Sequence, residues 1–192
     1  MTALWSLPRQ AVIGGQTYAL CTDFRRILRI IECLQRRDLP SFLSWQVALR
    51  LFYKQPIPPA QQSSAMEYLA RFISGGTQPK ASRRQLDWQQ DAEAIIADVN
   101  RVAGKELRQE PYVHWWTFLS YFHSVGEGQL SFLVQLREKL RRGEKLLPHE
   151  QEFYRQYPEK VILKQSLTPE EETQKQRLLR LLQEGGTDGS GK

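Results

Sequence analysis

The sequence predicts a mainly α protein, a single multi-helix domain with a small N-terminal β-hairpin. Apolar residues recur at i, i+3, i+4, i+7 spacing along most of the chain, which places them on one face of an α-helix; Trp115, Phe118, Leu119 and Phe122 form the clearest such run. Helix-breaking residues sit at the ends of these runs, as at Pro40, Gly75-Gly76 and Gly104. A chain of 192 residues, 41% of them hydrophobic, supplies one core of ordinary size.

Val12-Ile13 and Tyr18-Ala19-Leu20 flank Gly14-Gly15-Gln16, a hairpin signal because a Gly pair takes the positive φ angles of a tight turn. A lone hairpin is marginal in water, so it rests on helices or pairs with another chain, and its edge is a candidate subunit contact. Thr22 or Asp23 caps a first helix striped by Phe24, Ile27, Leu28, Ile31 and Leu34 and ending near Arg37-Asp38. Pro40-Ser41 opens a second, containing Phe42, Leu43, Val47, Leu49 and Phe52; it stops at Gln55, ahead of Pro56, Pro58 and Pro59. A third, with Ala65, Met66, Leu69, Phe72 and Ile73, stops at Gly75-Gly76, and a polar linker follows to Arg84. The fourth is expected from Asp87 to Gly104, with Trp88, Ile95, Ile96 and Val99 inward. Pro111 introduces the His114-Trp115-Trp116 helix, and Gly126 and Gly128 turn the chain into one carrying Leu130, Leu133, Leu136 and Leu140. Periodicity does not decide which of Trp115 and Trp116 points inward. The expected core is Phe24, Leu28, Ile31, Phe52, Leu69, Phe72, Trp88, Ile95, Trp115, Phe118, Phe122 and Leu133.

Residues 1–145 are read as the helical core domain with its hairpin, 146–184 as a C-terminal helical extension and 185–192 as a disordered Gly-rich tail. In the extension Pro148 starts a short helix stopped by Pro158. Thr168-Pro169-Glu170-Glu171 then combines a cap, a proline at the first helical position and a capping-box acid. The helix it opens is polar until Leu178, Leu179, Leu181 and Leu182, a segment suited to lying on the domain or meeting a partner.

The net charge of +6 is uneven: residues 1–84 hold 12 Lys and Arg against 4 Asp and Glu, while residues 85–192 hold 15 against 17. Arg25, Arg29 and Arg36 share a face of the first helix and are candidate partner contacts. Without a nucleic-acid fingerprint or stacking groups beside them, a solvated or protein-binding face is favoured over a phosphate-binding one. No apolar run reaches membrane-spanning length and the start carries no secretory pattern, so a cytosolic protein is expected, with Cys21 and Cys33 as reduced thiols.

Asp87, Asp91 and Asp98 lie near one helix face, but acids near a helix start are already favoured by capping and the helix dipole, so no metal site is read here and Asp87 and Asp91 are taken as helix-start residues. His114 is read as a hydrogen-bonded structural residue; His123 and His149 lack ligand-spaced companions. Phosphate loop, nucleophile elbow and zinc-protease motifs are all missing, so no enzyme activity, metal or cofactor is expected.

Four stretches together resemble the bacteriophage Gp-fifteen family of temperate-phage tail-region proteins. They are Thr22-Asp23-Phe24-Arg25 after a short strand, Leu51-Phe52-Tyr53 closing the second helix, Asp87-Trp88 with Asp91-Ala92 and Ile95, and His114-Trp115-Trp116 with Phe118. The resemblance spans roughly residues 10–145. It implies a tail assembly chaperone, self-associating in the bacterial host cytoplasm. Such a protein coats the tape measure protein, recruits tail tube subunits and leaves before the virion is mature; in related systems ribosomal frameshifting near the gene's end adds a longer product. A structural head-tail or tail virion protein is the alternative, and a basic nucleic-acid-binding regulator the less favoured one. For partner binding the sequence offers Arg25, Arg29 and Arg36, and after them Leu178 and Leu182.

Overall fold

Asp23, not Thr22, sets the start of the first helix. In the computed structural model, which describes residues 6–36, 38–77 and 85–164 together with Thr173, the Asp23 carboxylate accepts the amide of Arg25 at 3.1 Å. It thereby satisfies a donor that a helix start leaves unpaired. Helix α1 then runs Phe24–Gln35, its buried residues Phe24, Ile27, Ile30 and Ile31 forming one stripe. The antiparallel strands β1 (Gln10–Ile13) and β2 (Gln16–Ala19) precede it. Their turn has φ of 56° at Gly14 and 80° at Gly15, left-handed values that a side chain would strain.

Helix α2 (Ser41–Phe52) ends short of the expected Gln55 because Tyr53 turns extended to bridge Leu20. Cys21 N donates to Phe52 O at 2.7 Å and Lys54 N to Ala19 O at 2.9 Å. These bonds tie the C-terminal end of β2 and the residues after it to the end of α2. Helix α3 (Gln62–Ile73) packs beside β1, where the Tyr68 hydroxyl reaches Gln10 O at 3.4 Å. The start of the fourth helix departs from expectation: α4 runs Ala92–Ala103. Asp87 caps a separate turn before it, Oδ1 accepting the amides of Gln89 and Gln90 at 2.9 and 2.6 Å.

Helices α5 (Trp115–His123), α6 (Gln129–Arg142), α7 (Pro148–Gln156) and α8 (Pro158–Val161) follow. Pro158 both ends α7 and occupies the first position of α8, a short helix the sequence reading did not include. The protein is thus mainly α with a two-stranded N-terminal hairpin. No helix among the described residues is long and apolar enough to cross a membrane.

Of the expected core, Phe24, Ile31, Phe52, Leu69, Phe72, Ile95, Trp115, Phe118 and Leu133 are buried, and Leu28, Trp88 and Phe122 pack half-buried around them. Trp115 is the inward tryptophan, its indole N–H donating to Ile73 O at 2.9 Å. Trp116 lies half-buried and donates to Phe72 O at 2.9 Å. Phe24 stacks on Phe118 with ring centres 4.8 Å apart, tying α1 to α5. Residues 146–164, assigned from sequence to an extension, pack against α6, with Phe153 edge-on to Phe132 and Val161 buried. Gln90 Nε2 donates to Glu159 O and Ile162 O at 2.8 and 2.7 Å. The helix predicted after Thr168, with Leu178 and Leu182, lies outside the described residues, as do the Gly-rich tail and Lys80, Arg83 and Arg84.

Candidate interaction surface

The motif residues Asp23, Phe24, His114, Trp115 and Phe118 converge where α1 meets α5. Asp23 and His114 form a bridge, Trp115 N donates to Thr22 O at 2.7 Å and Phe24 N to Val113 O at 2.9 Å. His114 caps α5: its Nδ1 accepts the amide of Trp116 at 3.0 Å, so Nε2 carries the proton and donates to Pro8 O at 3.0 Å. Burial pushes the imidazole below its ordinary pKa, outweighing the Pro8 carbonyl, and the nearby Arg9 charge adds to the lowering. A buried neutral ring with both nitrogens engaged is a structural residue.

Burial acts to raise the Asp23 carboxyl, yet the Arg25 guanidinium and the amides of Val113 and Arg25 outweigh it and hold the group below its usual range. Arg25, offered as a partner contact, pairs with Asp23 at 2.8 Å and also donates to Glu110 O at 3.0 Å. It holds the approach to α5 in place. Arg36 pairs with Asp38 just beyond α1. Arg29 is exposed and makes no ion pair among the described residues. Arg36 follows the last residue of α1 with an extended backbone, so the helical spacing that grouped it with Arg25 and Arg29 does not reach it, and both Arg25 and Arg36 are engaged with neighbouring aspartates.

Asp91 and Asp98 are not dipole-compensating surface acids. Asp91 is buried, and both its oxygens accept from Arg137 at 2.7 Å in a two-pronged pair. The same guanidinium donates to Val161 O, Lys160 O and Gln85 O, so one side chain joins α4, α6, α8 and the segment before α4. Asp98, on the next turns of α4, accepts the amide of Leu130 at 2.9 Å and thereby caps α6. Gly128 lies against this carboxylate so closely that a Cβ there would collide with it. Among the described residues no cluster of His, Cys, Asp or Glu could hold a metal ion, and Cys21 and Cys33 are free.

A feature missed in the sequence lies on α2. Ser44, Ala48, Leu49 and Phe52 are buried, whereas Phe42, Leu43 and Val47 are 64%, 42% and 44% exposed. At 100° per residue these three, with Gln46 and Arg50, occupy the outward side. Arg50 is exposed at the far end of that side and makes no ion pair among the described residues. Projecting the second helix on a wheel separates the two apolar sets, so the signal was present in the spacing.

Residues 6–163 match the family described as Bacteriophage Gp15 protein. The chain belongs to this bacteriophage Gp15 family. The match takes in α7 and α8 and extends beyond the motifs between residues 10 and 145. As a Gp15-family member the chain is a phage protein of the structural, head-tail-related kind. No curated protein matches it, and no solved structure does.

Proposed function

We propose that this Gp15-family protein is a tail assembly chaperone. It binds the tape measure protein, keeps it soluble in the host cytoplasm, recruits tail tube subunits and departs as the tube forms. The observation that carries this reading is the outward side of α2, where Phe42, Leu43 and Val47 stand exposed on a helix whose opposite side is firmly packed. Clustered exposed apolar side chains on a rigid helix suit an amphipathic client helix laid across them. Arg50 at one end and the basic balance of residues 1–84 favour a client carrying acidic residues beside its apolar stripe. A long helical client offers many such stripes, so modest individual contacts and self-association of the chaperone combine into firm coating. The work is done by binding alone, with no catalytic step and no cofactor.

The test is co-expression with the tape measure protein, comparing the native chain with a Phe42→Ser, Leu43→Ser, Val47→Ser triple variant. These side chains are exposed, so the variant is expected to keep its circular dichroism while the soluble tape measure fraction falls severalfold. Undiminished solubilisation by a folded variant refutes the α2 surface. Mass spectrometry of purified virions tests the wider reading: stoichiometric retention of the protein would make it a structural head-tail component instead.

A further inference from the structure

We propose that the outward side of α2 is the surface on which two copies of this chain pair, antiparallel about a two-fold axis that passes over Gln46. The inner side of α2 packs on α1 and α3, while Phe42, Leu43 and Val47 stand exposed on the other. At 100° per residue, Phe42, Leu43, Gln46, Val47 and Arg50 fall within about 140° of arc. They form two slanting rows, 42-46-50 and 43-47, of the i, i+4 kind that interlocks with its like on a second helix. Gln46, at the midpoint of the longer row, is anchored to α3 by a 2.7 Å bond from its Nε2 to Gln62 Oε1.

The order of these side chains argues for a second copy as the occupant. Phe42 and Arg50 stand equally far to either side of Gln46, about 6 Å along the axis at 1.5 Å per residue. Two-fold symmetry through Gln46 therefore sets each Phe42 ring level with the partner's Arg50. A ring face attracts a guanidinium, and Arg50 has no ion pair among the described residues and no acid on its own helix. Leu43 and Val47 of the two copies close on one another, and Gln46 meets its own image as a neutral group. A parallel copy would instead set Arg50 against the partner's Arg50 and align the two helix dipoles, both unfavourable. One stripe thus supplies both halves of the contact. Five side chains per copy fall well short of the roughly 20–30 residues a side of a standard interface, so the pair is reversible. Where α2 also receives the client, as in the chaperone reading on which this last step rests, pairing regulates that site. The free protein shields its apolar stripe, and a client helix that meets Arg50 with a carboxylate displaces the second copy.

Sedimentation velocity of the purified full chain, without client, tests the pairing across about a thousand-fold range of concentration. The average mass is expected to rise toward that of two chains. Phe42→Arg and Arg50→Glu should each weaken pairing about ten-fold, the first by opposing like charges and the second by removing the cation. The combined Phe42→Arg, Arg50→Glu chain should regain it, because the exchanged charges attract across the same two-fold axis. Both positions are exposed, so all three variants should keep the native circular dichroism. A chain that stays monomeric throughout, pairing indifferent to the single variants, or a combined variant no better than the singles would overturn the proposal. None of these outcomes bears on client binding, which the serine variant reads separately by co-expression.

Discussion

Replacing Asp91 by Ala is expected to be among the most damaging single changes available in the chain. The Asp91 and Arg137 side chains are only 1% and 8% exposed. Arg137 directs all three guanidinium nitrogens at protein acceptors: Nε at Val161 O, Nη1 at Gln85 O and Asp91, and Nη2 at Asp91 and Lys160 O. Removing the carboxylate leaves that cation buried without its counter-charge and strips the acceptor from the amide of Asp87, 2.9 Å away. Breaking such a buried pair from one side costs about 3–5 kcal/mol. For a domain of this size each kcal/mol lowers Tm by about 2–4 °C, so Asp91→Ala should melt roughly 6–20 °C below the native chain. Arg137→Met leaves a buried carboxylate and should do comparable harm. The combined Asp91→Leu, Arg137→Met chain removes both charges and should be more stable than either single variant, because desolvation of the two ions no longer opposes folding. Thermal melts followed by circular dichroism at fixed pH and salt read all three. A double variant as unstable as the sum of the singles would refute the argument, since the two groups would then contribute separately.

Trp115→Ala, which removes the buried indole and its bond to Ile73 O, should cost about 3–5 kcal/mol in urea unfolding. Asp98→Ala, which uncaps α6 at the buried Leu130 amide, should cost about 1–3 kcal/mol. Gly128→Ala should be destabilising through collision with Asp98 and should be milder in the Asp98→Ala background, as a double-mutant cycle in urea would show. His114 gives a pH signature. Its folded-state pKa lies below the ordinary 6.5, so its contribution is complete above that pH. As the pH falls from about 6.5 toward the folded value the unfolded chain takes up a proton that the folded ring resists, and stability declines. His114→Gln should flatten this part of the stability profile in urea titrations at successive pH values. The depressed Asp23 carboxyl acts in a separate window: its contribution is present above 3.8 and fades at lower pH.

Local rules made the helices legible. The Gly14-Gly15 turn, the Gly75-Gly76 stop and the inward stripe of α1 follow from residues near one another in sequence, where φ preference and helical spacing act directly. The α4 boundary was misplaced because Asp87 caps a turn with the same short-range bonds that start a helix. The roles of Asp91 and Asp98 could not be read locally: their partners Arg137 and Leu130 lie 46 and 32 residues away, and an acid near a helix start looks alike whether solvated or buried. Arg25 and Arg36 illustrate the opposite case, since Asp23 and Asp38 stand two residues from each and a shared helix face does not reveal that those charges are engaged.

The seam that joins Thr22 and Asp23 to Val113, His114 and Trp115 also dictates a timetable. Its bonds close across about 90 residues, so α1 cannot acquire its Phe118 neighbour until the aromatic helix has been synthesised. At 5–20 residues per second, the interval between completing α1 and adding Phe118 is about 4–17 s on the ribosome. Throughout that interval the apolar stripe of α1 lacks its stacking partner, and the outward side of α2 is already exposed. A nascent chain of this protein therefore passes several seconds with more apolar surface open than its finished form, so a polysome bearing many copies would be its most crowded and most association-prone setting.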